Sequence, residues 1–352
     1  MHHKTFIFIS IQERHMEQKK INPKPPQNIL EEALTKQQGS ADELSFNHQK
    51  SALLLVNQHA GMGNAKDKLF QLITELSKLG YEVITYPIIP EAGLTSEGLV
   101  KLYLKRSICI VACIGGDGTL NHVVNALLCS GTEERSEIPI LYLPSGTTND
   151  YAKTLGLTGD IDKLITSVST GRVFRPDVGA FSDKLFNYVA AFGAFTNVSY
   201  ETPQDQKNFL GYFAYVLNAI AAAPSSLQTR YTLRISHDGD IEEGTFIFGA
   251  ASNATSVAGF KTQALSDASL SDGMFEVMLI KAPDDLMDVG EIIRSAMDGN
   301  FDNPYIRMFQ AREVHFHSEE EISWTLDGEF GGNVSDVTIR VLPKAIKIFT
   351  EQ

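Results

Sequence analysis

Two rhythms of apolar positions divide the chain. From Ser51 to about Phe174, short apolar runs at Ala52–Asn57, Glu82–Tyr86, Ile108–Ile114 and Ile140–Leu143 alternate with helically spaced segments at Lys66–Leu79, Thr95–Leu104 and Leu120–Leu128. Unbroken apolar strands are typical of a parallel sheet covered on both faces, so this half predicts an open α/β domain. After Asp177 the chain becomes strand-rich, with candidates at Phe186–Phe192, Arg230–Ser236, Thr245–Ala251, Met274–Ile280, Glu313–His317 and Ser323–Leu326. Such a succession predicts an antiparallel, sandwich-like second domain. Lys207–Ala222 interrupts it as an apolar, aromatic helix carrying Phe209, Tyr212, Phe213, Tyr215, Val216 and Leu217. Residues 1–50 follow neither rhythm; polar and rich in mixed charge, they predict a mobile extension with a short helix at Leu30–Thr35.

The strand Ile108–Ile114 runs into Gly115-Gly116-Asp117-Gly118-Thr119, and a helix follows. Glycines at a strand-to-helix turn let backbone N–H groups approach an anion, and the helix start adds favourable partial charge. A tight βα turn would explain the glycines alone. Asp117 points further, because a carboxylate inside an anion-binding turn calls for a divalent cation or a hydroxyl donor beside the phosphate. A second strand, Leu141–Leu143, leads into Pro144-Ser145-Gly146-Thr147-Thr148-Asn149-Asp150 and another helix start, Asp150–Leu155. Taken singly, Thr148, Asn149 or Asp150 would read as a helix cap. Two adjacent polar loops at carboxyl strand ends form the crevice in which open α/β sheets bind ligands.

These paired motifs resemble the diacylglycerol kinase catalytic domain, whose first motif is shared with NAD kinases and phosphofructokinase-like relatives. Further matches follow in family order. Val56-Asn57-Gln58-His59-Ala60-Gly61-Met62-Gly63 is similar to the family's first loop, with Gln58 in place of its proline. Arg175–Gly179, the block from Phe186 to Pro203, Leu270–Phe275 and Trp324-Thr325-Leu326-Asp327-Gly328-Glu329 complete the resemblance. The block ending at Pro203 is specifically similar to soluble Gram-positive lipid kinases.

The resemblance implies ATP and Mg²⁺, with diacylglycerol as acceptor. It puts Asn57, Gly61, Gly63, Gly115, Gly116, Asp117, Gly118, Thr119, Ser145, Gly146, Thr147, Thr148 and Asn149 around the nucleotide. Asp327 matches the proposed general base, Glu329 belongs to the same catalytic element, and Asp117 and Asp177 match the Mg²⁺ and water network. Without the other motifs, Asp327-Gly328 would read as a plain hairpin turn. A structural Mg²⁺ is implied at Asp272, the Met274 carbonyl and position 269. Ser269 stands there, a poor ligand if a carboxylate is required and no handicap if a backbone carbonyl suffices. The resemblance also implies a homodimer, and a terminal segment, 337–352, that returns to the first domain. The expected organisation is therefore an extension at 1–50, a nucleotide domain at 51–176 plus 337–352, and a lipid-substrate domain at 177–336.

Composition narrows the setting. At 352 residues and 43% hydrophobic, the chain can fill two cores. Cys109, Cys113 and Cys129 read as small core residues, without disulfide or zinc spacing. The net charge of −13 argues against nucleic acid as a partner and supplies no global attraction to anionic lipid. Local lysines, with Lys66, Lys68 and Lys207 as candidates, would have to draw the protein to a membrane. No apolar run is long enough to span a bilayer, and Phe6–Ile9 is too brief for a secretory signal, so the expectation is a cytoplasmic enzyme, peripheral at the inner membrane face. His122 reads as a helix-face residue; His315 and His317 share a strand face without an acidic ligand at metal spacing in the sequence. The alternatives to diacylglycerol phosphorylation are a kinase of polyprenol, another glycerolipid or a sphingoid base, and a nucleotide-binding protein without turnover.

Overall fold

The computed structural model describes residues 50–57, 65–106, 108–129, 137–146, 149–193, 230–253, 269–298 and 303–351. The extension at 1–49, the segment Lys207–Ala222 and the Phe195–Pro203 block lie outside them.

The first half alternates as its apolar rhythm requires: β1 (Ser51–Asn57), α1 (Ala65–Lys78), β2 (Glu82–Ile88), α2 (Ser96–Tyr103), β3 (Ile108–Gly115), α3 (Asp117–Leu128), β4 (Ile140–Pro144), α4 (Asp150–Thr154), α5 (Ile161–Thr170) and β5 (Val173–Phe174). β1 pairs in parallel with β2 and β3, and β3 with β4. Leu53–Leu55, Ile110–Ile114 and Ile140–Leu143 are buried almost completely, which is why these strands carry no polar alternation. Helix pairs α2–α3 and α1–α5 flank the sheet. Thr95 caps α2 through the N–H of Gly98, and Asp160 caps α5 through those of Asp162 and Lys163. A sixth strand, β15 (Ile348–Phe349), arrives from the C-terminus and lies between β4 and β5, parallel to the former and antiparallel to the latter.

The second half builds a nine-stranded antiparallel sheet from β6 (Val178–Phe181), β7 (Lys184–Phe186), β8 (Val189–Gly193), β9 (Tyr231–His237), β10 (Asp240–Ser252), β11 (Phe275–Lys281), β12 (Ile306–Ala311), β13 (Glu313–Leu326) and β14 (Glu329–Leu342). β8 and β9 lie end to end between β10 and β13, each pairing with part of both. One face buries an aromatic core that includes Phe186, Phe192, Phe246, Phe275, Phe316 and Trp324. The other packs Ile247, Phe248, Met278 and Ile280 against Val289, Ile292 and Ala296 of helix α6 (Leu286–Asp298).

Three expectations need correction. Glu313–His317 and Ser323–Leu326 are one strand, because the charged run between them stays extended at the surface with only a register shift against β14. β10 begins at Asp240, where polar residues are held by pairing with β9 across the Asp238-Gly239 turn. The return to the first sheet starts after Leu342, not at Val337: Val337 and Ile339 pair with β13 and bury in the aromatic core.

Candidate active site

β3 and β4 end side by side, and the loops leaving them touch. The Ser145 amide donates to the Gly115 carbonyl at 2.8 Å. A side chain at Gly146 would bring its Cβ to 2.7 Å from the Gly116 Cα, so the two loops meet backbone to backbone and only glycine permits it. Gly115 is needed for a second reason: Thr119 folds back over it, into the space a Cβ would take. Asn57, at the end of β1, donates its amide to Thr119 Oγ1 at 3.1 Å and joins a third strand end to this turn. Asn149 stands at the N-cap position of α4, but its side chain makes no capping bond. Its backbone is left-handed at φ 49°, and its side chain grips Gly146, accepting from the amide at 2.9 Å and donating to the carbonyl at 2.8 Å. α3 starts at an extended Gly116 with no side-chain cap, so the first turn beside this crevice lacks the usual capping side chain. Gly61, Gly63, Thr147 and Thr148 lie outside the described residues.

Asp117 receives a hydrogen bond from the Tyr142 hydroxyl at 3.3 Å. Burial first, then the Asp117 charge, push the Tyr142 phenol up, so it remains a donor. Ser145 Oγ and the Tyr151 hydroxyl are buried with no partner among the described residues. The Tyr151 phenol is raised by burial and by the charges of Asp327, Asp177 and Asp117, which puts an orphaned hydroxyl within the field of all three carboxylates. Buried hydroxyls without partners beside a Cβ-free cradle fit a bound polyanion and its hydration.

The Asp327-Gly328 pair turns β13 into β14 with both residues left-handed, at φ 50° and 86°, in a two-residue hairpin. Its Asp is also drawn inward. Oδ2 accepts from Asn121 Nδ2 at 2.8 Å and the Asn187 amide at 2.7 Å; Oδ1 accepts from the amides of Tyr188 and Val189 at 2.8 and 2.9 Å. The Asp327 amide returns a bond to the Val189 carbonyl. Burial pushes this carboxyl above its ordinary value, and the four donors oppose that shift. Asn125 orients Asn121 by donating to its Oδ1 at 2.8 Å. Two residues on, Glu329 is exposed, and its Oε1 lies 2.8 Å from the position of a Cβ at Gly118, directly over the start of α3.

Asp177 is fully buried and knits three segments. Its oxygens accept from the amides of Gly273 at 2.6 Å and Lys344 at 2.7 Å, while its own amide donates to Leu270. Burial raises its carboxyl. Asp272 closes the neighbouring loop by accepting from the amides of Ser269 at 3.0 Å and Met274 at 2.9 Å. The residue types present, a serine, a backbone carbonyl and a carboxylate, are hard oxygen donors of the kind that suits Mg²⁺, but the bonds seen are backbone amides donating to Asp272. No cluster of three or more His, Cys, Asp or Glu arranged for a metal exists among the described residues.

The chain is similar to known proteins in sequence and in fold. A diacylglycerol kinase of Staphylococcus carnosus is 31% identical over 286 residues, covering 81% of this chain and 90% of its own. One from Staphylococcus saprophyticus is 30% identical over 303 residues, covering 86% and 95%. The chain belongs to the diacylglycerol kinase family. Residues 51–181 match the diacylglycerol kinase catalytic domain and 191–350 the YegS C-terminal NAD kinase beta sandwich-like domain. The crystal structure of a diacylglycerol kinase from Bacillus anthracis str. Sterne shares the fold, with a TM-score of 0.61 at 18% identity, over 85% of this chain and 96% of that one. Between the two matched diacylglycerol kinase family segments lies the stretch Asn187–Val189, the one Asp327 holds.

The structure thus gathers Asn57, Gly115–Thr119, Ser145, Gly146 and Asn149 at one crevice, brings Asp327 onto α3 through Asn121, and sets Glu329 over Gly118. Asp177, Ser269, Asp272 and Met274 form a separate knot. Asn121, Asn187, Tyr142 and Tyr151 were not singled out from sequence. Only the position of Asn121, directly after the glycine motif, offered a signal.

Proposed function

We propose that the protein is an ATP- and Mg²⁺-dependent lipid kinase that transfers the γ-phosphoryl group of ATP to the hydroxyl of diacylglycerol, forming phosphatidic acid. One observation carries this reading: the glycine-to-glycine contact of Gly116 with Gly146 beside the uncapped start of α3, a cradle for phosphates that faces the Asp327–Glu329 hairpin. The phosphates lie along the amides of Gly115–Thr119 and Gly146, with Ser145 Oγ as a further donor. Gly61, Gly63, Thr147 and Thr148 complete the cradle by resemblance. Asn57 and Asn149 keep it rigid, so little reorganisation is needed when charge shifts during transfer.

Mg²⁺, when bound, neutralises the β- and γ-phosphate charge and orients the phosphoryl group. Asp117 would serve its water shell, whereas Asp177, whose oxygens accept from the Gly273 and Lys344 amides, would act beside a structural ion that Asp272, the Met274 carbonyl and Ser269 would hold. A carboxylate of the hairpin takes the acceptor's proton, a role the resemblance gives to Asp327. On the same reading the kinase works as a homodimer at the cytoplasmic membrane surface. Among the described residues, no helix is long and apolar enough to cross a membrane.

The test is phosphate transfer from radiolabelled ATP to diacylglycerol in mixed micelles with Mg²⁺, beside polyprenol, sphingosine and NAD. Selective formation of phosphatidic acid is expected. Labelling of another acceptor would keep the mechanism and change the substrate, and no labelling at all would leave a binding protein.

A further inference from the structure

A kinase of the diacylglycerol family brings a soluble phosphate donor to an acceptor whose acyl chains stay in a bilayer. Whatever part of the chain stands at the mouth of the phosphate cradle therefore has to meet the lipid surface. The net charge of −13 opposes approach to an anionic leaflet, so groups at the contact itself must supply the attraction.

The β13–β14 hairpin carries both kinds of group that such an interface uses. Phe330 follows Glu329 directly and is 69% exposed. Single exposed apolar side chains are ordinary on a protein surface, and this one is set apart by its place and its surroundings. Successive strand positions point to opposite faces, so the ring leaves β14 on the side away from Glu329, whose carboxylate overhangs Gly118. Gly328, Gly331 and Gly332 flank it in the chain and have no side chains to cover it. Lys184 of β7 donates its ammonium to the Gly331 carbonyl at 2.5 Å, one residue past the ring. An ammonium carries three N–H donors, which leaves two for an anion. Asp183 precedes Lys184 in the exposed turn after β6, so this is one fixed cation beside an aromatic ring rather than a basic patch.

We infer that Phe330 and Lys184 form the contact by which the hairpin rests on an anionic bilayer. The ring enters the acyl region and the ammonium meets lipid phosphate, while Glu329 and the cradle stay on the other side of the strand. This deepens the lipid-kinase reading above and rests on it. The two groups differ in what they sense: transfer of the ring is indifferent to lipid charge, whereas the attraction of the ammonium follows it and fades with salt.

The sequence has one tryptophan, Trp324, which is 1% exposed, so a reporter at position 330 is read against a shielded background. Full-length wild type and Phe330→Trp would be mixed with vesicles of phosphatidylcholine, phosphatidylglycerol and diacylglycerol, with and without brominated acyl chains. Emission of Phe330→Trp is expected to shift to the blue on vesicles and to be quenched by the brominated chains, with wild-type emission unchanged. Phe330→Ser should bind these vesicles about tenfold or more weakly, the scale of one aromatic side chain returned to water. Its KM for vesicle diacylglycerol should rise to match, with KM for ATP and thermal unfolding unchanged. Lys184→Gln should weaken binding about fivefold on the anionic vesicles, and not on pure phosphatidylcholine or at high salt. A Phe330→Trp emission unmoved by vesicles, or Phe330→Ser binding within about twofold of wild type, overturns the assignment. A blue shift that appears without vesicles and grows with protein concentration also overturns it, by giving the ring to a second copy of the chain. Fluorescence needs no turnover: an unmoved reporter in an active kinase removes the contact alone, whereas a quenched reporter in a protein that labels no lipid supports the contact and removes the kinase reading.

Discussion

Gly146 has no tolerance for a side chain, because its neighbour is backbone rather than a flexible group that could yield. In Gly146→Ala the Cβ would sit 2.7 Å from the Gly116 Cα and 2.8 Å from Asn149 Oδ1, so the two loops must part. The fold keeps its core, and the expected result is a rise in KM for ATP of about tenfold or more, the scale of one or two lost phosphate contacts, with melting shifted far less. An unchanged KM would detach this contact from nucleotide binding. The glycines were legible because a strand-to-helix turn packed tightly against its neighbours needs them whatever the tertiary setting. Asn121 and Tyr151 were not, since their roles depend on partners remote in sequence: Asn121 meets Asp327 206 positions away.

Two hairpins of the second sheet share the same Asp-Gly turn, and their comparison separates backbone chemistry from site chemistry. Asp238 and Asp327 both sit at positive φ, 49° and 50°, before a left-handed glycine. Asp238 is exposed, whereas Asp327 holds four N–H donors. Alanine imposes the same conformational strain at each place, so that penalty cancels in the difference. Asp327→Ala should lose about 2–4 kcal/mol more stability than Asp238→Ala, the scale of several donors left without an acceptor. Denaturant unfolding of both variants checks this, and equal losses would reduce Asp327 to a turn residue. At the far edge of the first sheet, Glu137 links Arg175 at 2.7 Å and Lys347 at 2.5 Å, fastening the flanks of β5 and β15. Hydrogen bonds from Arg175 and then Lys347 hold its carboxyl down, to about 2. A depressed carboxylate contributes stability above its unfolded value and loses it as pH falls through the folded one. The melting difference between wild type and Glu137→Gln should therefore be flat above pH 4.5 and close between pH 4.5 and about 2. A difference that persists at pH 2 would exclude the ion pairs as its source. Among elements, α6 has a readable stripe in Val289, Ile292 and Ala296 that went unused, while β12 alternates too weakly to announce itself. The exposed run inside β13 concealed the continuity of that strand, because extended backbone there is imposed by pairing rather than by the residues themselves.

For the molecule as a whole, the two-layered division was legible because buried parallel strands and antiparallel strands leave different apolar rhythms. The crossing point was not: Val337 and Ile348 are equally suited to either sheet by composition, and pairing alone assigns them. The C-terminus is bound into the first sheet at both its strand and its last acidic residue. Glu351 accepts from the amides of Thr158, Gly159 and Asp160 and from the Thr158 hydroxyl, ahead of α5. A chain ending at Leu342 would leave β4 and β5 facing a gap and these amides without their acceptor. It should yield aggregating protein or a broad, non-cooperative thermal transition, and a sharp wild-type-like transition would show the return strand to be dispensable.

That insertion also orders events during synthesis. The six-stranded sheet begins with β1 and is completed by β15, so the glycine loops after β3 and β4 stand beside an unfilled position until residues 348–349 have been made. The second sheet, whose strands are all made before Pro343, can assemble first and serve as the surface onto which the earlier half closes. The first sheet of a nascent chain will therefore stay open until β15 has been made.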